Sequence, residues 1–187
     1  MYRDINDQKG FTLVELMMVL AVLGLLLGIG LPSLSGFFAK QQADAATSEA
    51  WRHLVSARDF AVSSRRRVTF CGLNDQGQCA NTGIVSFVVF VDYDQDYLLS
   101  DSDYIYAEFD SSYPGQTELY ASRKPSITFN PSGSARQFGS VFFCPKANNK
   151  ALIRRISINR SGRSYIAKSD PNKGYVLAAG KKEIECS

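Results

Sequence analysis

The chain has one histidine, His53, in 187 residues. Without a second imidazole there is no histidine pair for zinc, and the four cysteines include no C-x-x-C spacing that would supply a thiolate set instead. A lone histidine set within a helical pattern reads as a surface residue and leaves no Ser-His-Asp or Cys-His arrangement. Neither G-x-S-x-G nor a phosphate-binding loop occurs. These absences leave catalysis and a bound cofactor without support, and the chain reads as a structural or interaction protein rather than an enzyme. Charge is missing in one place above all. From Phe11 to Ala39 the single charged residue is Glu15. The net charge of +3 is too small to imply a polyanionic partner by itself. No internal repeat is present.

The uncharged stretch organises the rest. At a rise of 1.5 Å per residue, ~20 apolar residues in a helix cross the hydrocarbon core of a bilayer, so residues 11–39 are long enough to span it. A secretory signal has a basic leader, a short apolar core and a cleavage site after that core. Here the apolar run is longer, and the polar leader ends before it, at Lys9-Gly10. A carboxylate at bilayer depth costs ~2.5 kcal/mol or more, which marks Glu15 as functional. Gly24, Gly28 and Gly30 come just ahead of Pro32. Each glycine costs a helix ~1 kcal/mol relative to alanine, and proline removes a backbone bond, so this zone is expected to kink or melt locally. The same small residues would also let helices approach closely in a membrane.

Beyond Lys40 the helical pattern becomes amphipathic. Ala43, Ala46, Ala50, Trp51, Leu54, Val55, Arg58 and Val62 recur at three- and four-residue steps and predict a face against a core. Arg65-Arg66-Arg67 closes the helix, with cations set against the negative end of its dipole. The period then changes. Strands are expected at 68–71, 84–91, 104–109, 117–121, 126–130, 141–144, 152–158 and 164–167, separated by turns at Tyr113-Pro114-Gly115, Asn130-Pro131-Ser132-Gly133 and Asp170-Pro171-Asn172. One long helix followed by short antiparallel strands is an α+β arrangement. The organisation is therefore a leader (1–10), a spanning helical half (11–39), an amphipathic half (40–67) and a β-rich head (68–187).

Gly10-Phe11-Thr12-Leu13-Val14-Glu15, followed by the apolar run and Pro32, resembles the N-terminus of type IV pilins and pseudopilins. The VFVDYDQD segment, the FNPSG turn, the FFCP segment and Ile156 to Arg163 resemble the heads of the FimT/FimU minor pilins and H-type pseudopilins. That resemblance implies a type IV pilin fold, a long N-terminal helix packed on an antiparallel head. It implies cleavage after Gly10 by a prepilin peptidase and methylation of the new amino terminus on Phe11. Glu15 would then be the fifth mature residue, pairing with the amino terminus of a neighbouring subunit and so setting its register, a buried charge used for specificity. The glycine–proline zone would loosen when subunits pack into a filament. The implied partners are other minor and major pilins, the peptidase and the inner-membrane assembly platform. The implied location is the inner membrane with the head in the periplasm, and then the pilus tip. A FimU-like role in priming assembly is favoured, with a DNA-binding minor pilin of transformation and an H-type pseudopilin of type II secretion as alternatives.

Three groups in the head carry binding or covalent chemistry. Cys71, Cys79, Cys144 and Cys186 all follow the apolar stretch, and an even set on the translocated side suggests disulfides in an oxidising periplasm. Four cysteines allow three pairings. The short loop between Cys71 and Cys79 favours closing that pair and leaving Cys144 with Cys186, but spacing alone does not decide it. Between Lys150 and Lys182 nine basic residues face one acid, Asp170. Arg154, Arg160, Arg163 and Lys168 are the DNA candidates, with a solvated or subunit-contacting surface as the plainer reading. The Gly-Arg-x-Arg element of the FimT branch is here Gly162-Arg163-Ser164-Tyr165, so its second arginine is a tyrosine. Finally, Asp92, Asp94 and Asp96 alternate and Asp103 stands at the twelfth position, as in a calcium loop. The sixth position is Tyr97 where such loops place glycine, and the last acid is aspartate, so a solvated acidic turn is the preferred reading.

Overall fold

The computed structural model describes residues 10–111, 113–146, 149–178, 183–184 and 186, with the backbone alone over 26–34. It divides into two compact units, Met1–Ala39 and Lys40–Ser187. Helix α1, Leu13–Ser64, runs through both.

In the first unit, Thr12 caps α1. Its carbonyl accepts from the Leu16 N–H at 3.2 Å, and its Oγ1 accepts from the Glu15 N–H at 3.2 Å. The Thr12-x-x-Glu15 spacing is that of a capping box, and an acid in the first turn complements the positive end of the helix dipole. This is a local role for Glu15 within its own helix. Leu13, Val14, Met17, Met18 and Leu25 are all more than 60% exposed, so apolar side chains point outward on every side of the helix. Such a helix needs a lipid or protein surround. Gly28, Gly30 and Pro32 lie in the stretch described by its backbone, which is helical; their side-chain surroundings fall outside the described residues. Among the described residues no helix is long and apolar enough to cross a membrane. The span expected over 11–39 therefore rests on the sequence.

In the second unit, α1 buries Ala43, Ala46, Thr47, Ala50, Leu54, Ala57 and Ala61. The stripe is mostly alanine, which lets the helix backbone lie close to the strands beneath it. Trp51 is only half-buried and donates from Nε1 to the Ser164 carbonyl at 3.4 Å. Val62, expected on this face, is exposed; Ala57 and Ala61 occupy the positions that continue the stripe. His53 is half-buried rather than at the surface, stacked on Phe109 with ring centroids 3.7 Å apart. Burial lowers its pKa, opposed by Glu49 and aided by Arg52. The helix ends at Ser64 with no basic residue in its last turn. Arg65 adopts φ 54°, the left-handed conformation that stops a helix, so the arginine run lies beyond the end instead of closing it.

The strands form two antiparallel sheets, not one. The first has the order β3-β2-β1-β5-β6: Tyr104–Asp110, Ser86–Val91, Val68–Leu73, Ser126–Phe129 and Ala135–Gln137. The second has the order β4-β7-β8-β9: Gln116–Ala121, Gly139–Cys144, Arg154–Ile158 and Ser164–Ile166. β1 is central, pairing Val68 with both Val91 of β2 and Phe129 of β5. β2 is buried at every position because both faces are covered. Phe87, Val89 and Val91 join the main core under α1, while Val88 and Phe90 meet Cys71 and Leu73 on the other side. That explains its unbroken apolar run. β6 was not anticipated, being three residues long. Leu152, expected to begin a strand, instead ends a 3₁₀ turn capped by Asn149, whose side chain accepts from the Ala151 N–H.

Candidate functional site

The acidic turn sits between β2 and β3. Asp92 is 3% exposed at the end of β2, held there because its N–H donates to the Arg67 carbonyl at 3.2 Å. One carboxylate oxygen, Oδ2, accepts from Thr69 Oγ1 at 3.4 Å and from the Tyr97 N–H at 3.3 Å; the other, Oδ1, is buried without a partner. Burial pushes the Asp92 carboxyl up to about 6, opposed by the backbone N–H groups of Gln95 and Tyr97 and reinforced by Asp103 and Asp94. Carboxylate oxygens of Asp92, Asp94 and Asp96 lie within 4.8 Å of one another. Asp103 is not in that group. It accepts from the Tyr93 N–H at 2.9 Å and the Ser100 N–H at 3.0 Å, tying the two ends of the loop together.

The four candidates Arg154, Arg160, Arg163 and Lys168 do not converge on one surface. Arg154 forms an ion pair with Asp44 on α1 at 2.6 Å and donates to the Ala151 and Ile153 carbonyls. Arg155 is buried and donates to the Leu177 carbonyl. Arg160 and Arg163 are exposed in the β8–β9 turn, where Arg160 covers the Phe138 ring at 5.4 Å. Lys168 follows the other end of β9, since the Ala167 N–H donates to the Arg155 carbonyl there. The three residues of β9, Ser164–Ile166, at ~3.3 Å each, and Ala167 lie between Arg163 and Lys168. What sequence reasoning missed is a set from three separate segments. Arg123, Arg136 and Arg160 line one cleft of about 540 Å³ together with Tyr97 and Asn130. Only the strand pairing brings them together, so no linear motif could have shown it.

The disulfides are Cys71–Cys79 and Cys144–Cys186. The first closes the turn after β1, where Leu73 and Cys79 also form a bridge. The second ties the last residues to β7. Beside it, Glu183 accepts from Lys150 at 2.6 Å, Tyr175 at 2.6 Å and Lys173 at 3.4 Å. Those donors, Lys150 foremost, hold the Glu183 carboxyl down at about 2.

At the other end of the chain, Gly10 and Phe11 are exposed ahead of the Thr12 cap, Phe11 by 85%. Gly24 has open space around it. Glu15 is exposed. This arrangement offers an accessible peptide bond before an apolar helix and an acid one turn inside it.

The chain matches the family model described as "Type II transport protein GspH" over residues 46–162, and the "Prokaryotic N-terminal methylation motif" over 5–31. It is similar to a fimbrial protein of Moraxella nonliquefaciens, 48% identical over 66 residues, covering 35% of this chain and 40% of that one. A fimbrial protein of Pseudomonas aeruginosa is 48% identical over 57 residues, covering 30% and 34% respectively. The match thus covers at most about two fifths of either relative's length. In fold, the chain is similar to the crystal structure of the type IV minor pilin FimU of P. aeruginosa, with a TM-score of 0.53 at 18% identity over 74% of this chain and 99% of that one. A helix packed on antiparallel sheets over the matched head, joined to a methylation motif, places this chain in the GspH family, whose members are pilin-like structural subunits and not enzymes.

Proposed function

We propose that the protein is a minor pilin that joins other pilins in priming assembly of a type IV pilus. In this reading the chain is made as an inner-membrane precursor with its head in the periplasm, cleaved after Gly10, methylated on Phe11, and anchored by residues 11–39 until it enters the filament near its tip. The observation that carries the reading is the helix that Thr12 caps. Over residues 13–25 it exposes apolar side chains on all sides, and as far as Ala39 its single acid is Glu15, one turn from the cleavage point. In lipid that carboxylate needs a positive partner, and the free amino terminus of a neighbouring subunit's Phe11 supplies one. The likeness to fimbrial proteins and to the fold of FimU supports a pilus. A pseudopilus of a type II secretion system is the second reading, supported by the family description. A DNA-binding role has less behind it, because Arg154 is committed to Asp44 and Lys168 lies away from Arg160 and Arg163.

The test is a strain carrying Glu15→Val in place of the natural chain. We expect normal processing, with methylated phenylalanine at the mature terminus, and a loss of this subunit from sheared filaments of at least tenfold. Undiminished incorporation would refute the registry role. Deleting the gene separates the two systems: lost piliation with intact exoprotein export supports the pilus, and the reverse supports the pseudopilus.

A further inference from the structure

We propose that Asp92, Asp94 and Asp96 form a divalent-cation site, suited to calcium, in the turn between β2 and β3. Three observations combine. One carboxylate oxygen from each aspartate converges to within 4.8 Å of the others, and Asp92 also has an oxygen, Oδ1, that is buried with no hydrogen-bond partner. A buried carboxylate oxygen without a donor is costly unless a cation completes it. The second observation concerns charge. From Asp92 to Asp103 there are five acids and no lysine or arginine. Arginines do approach the turn, but through its other residues. Arg66 covers the Tyr93 ring at 5.1 Å, Arg67 donates to Gln95 Oε1 at 2.5 Å, and Arg136 donates to the Tyr97 hydroxyl at 3.4 Å. The odd-numbered residues 93, 95 and 97 thus take the arginines outward while the even-numbered acids face one another. Among the described residues none of the three acids has an ion-pair partner within 4 Å.

The third observation is the backbone. Tyr97 occupies the sixth position, where a calcium loop needs a sharp turn, and its φ is +71°; Gln95 stands at +64°. The conformation that glycine usually supplies is therefore present without glycine, which removes the objection that the sequence raised. Asp103 departs from the familiar loop. It is spent on the Tyr93 and Ser100 N–H groups and reaches the acidic set only through the Ser100 hydroxyl, which donates to Asp94 Oδ2 at 3.3 Å. Calcium takes six to eight oxygens, so three carboxylates leave room for carbonyls and water. Calcium suits such an irregular, oxygen-only set better than magnesium, which demands near-octahedral geometry. With one acid fewer than the full loop, affinity falls in the range of extracellular modules, a Kd of about 0.1–1 mM.

The experiment uses the full processed chain in detergent, stripped with chelator. Terbium, excited through Tyr93 and Tyr97, reports the site, and calcium chloride is titrated against it. Expected are a luminescence signal displaced by calcium but not by equal magnesium, and a Tm raised by about 3–7 °C in about 5 mM calcium. Asp94→Asn with Asp96→Asn should abolish both responses, and Asp101→Asn should keep them. Absence of a Tm shift in the natural chain overturns the proposal, whatever the variants do, as does terbium luminescence that survives in the double variant. Because the readouts concern the head turn alone, they stand or fall separately from the pilus assignment.

Discussion

Arg58, midway along the second half of α1, donates from Nε to the carbonyl oxygen of Gly133 at 2.9 Å. Gly133 ends the Asn130-Pro131-Ser132-Gly133 turn of the first sheet, and its carbonyl also lies against Gly162 in the β8–β9 turn of the second. One guanidinium therefore ties the helix to a turn of the first sheet at the point where that turn meets one of the second. Gly133 at φ +77° and Gly162 at φ +81° hold backbone shapes that a side chain resists, and a Cβ at Gly162 would strike the Gly133 carbonyl. Arg58→Ala should cost about 1.5–3 kcal/mol in urea unfolding, as expected for a charged hydrogen bond removed from a buried acceptor. Gly162→Ala should cost a comparable amount or more, because its Cβ would strike the Gly133 carbonyl and come within 3.1 Å of Arg58 Nε. If both variants unfold at the natural midpoint, the junction is not stabilising.

The long helix, the expected strands and the α+β class were legible because periodicity is a local property. Leu54 and Val89 announce their burial from their own neighbours in the chain. Arg58 did not. It was read as part of an apolar stripe, since nothing near it in sequence reveals that Gly133 would come to meet its guanidinium. The division into two sheets was hidden for the same reason: β1 pairs with β2 and with the distant β5, while β4 leaves to pair with β7. The candidate acidic turn was half legible. The alternation of Asp92, Asp94 and Asp96 is in the sequence, but the left-handed φ of Tyr97 is a property of the folded turn that residue identity argued against. The basic residues were legible only as a composition, and folding sets Arg154 and Lys168 apart from Arg160 and Arg163.

Glu183 provides a pH test. Its carboxyl is held at about 2 by donors from Lys150, Tyr175 and Lys173, below its ordinary value. The charged form is thus favoured in the folded chain. The stability it contributes is present above the ordinary glutamate range and is lost as pH falls through that range toward 2. The difference in urea midpoint between the natural chain and Glu183→Gln should be constant at pH 6–7, shrink below about pH 4.5 and vanish near pH 2. A difference that grows as the solution is acidified would contradict the assignment.

Close approach of α1 to the strands depends on alanine at Ala50, Ala57 and Ala61, where exposure is at most 1%. Enlarging such a position forces either the helix outward or the facing side chains off their rotamers, at about 1–3 kcal/mol. Val62 is one residue from Ala61 and reads as part of the same apolar face by spacing, yet 47% of it is exposed. Ala57→Leu should therefore lower stability by about 1–3 kcal/mol, whereas Val62→Leu should change it by no more than about 0.5 kcal/mol. Thermal unfolding of both variants checks the pair. Equal losses would mean that the buried stripe is rotated toward Val62. A silent Ala57→Leu would mean that the helix does not lie against the core at this point. Helix propensity alone separates the two substitutions by about 0.5 kcal/mol, since Ala→Leu loses a little and Val→Leu gains a little, so only a gap larger than that reads packing.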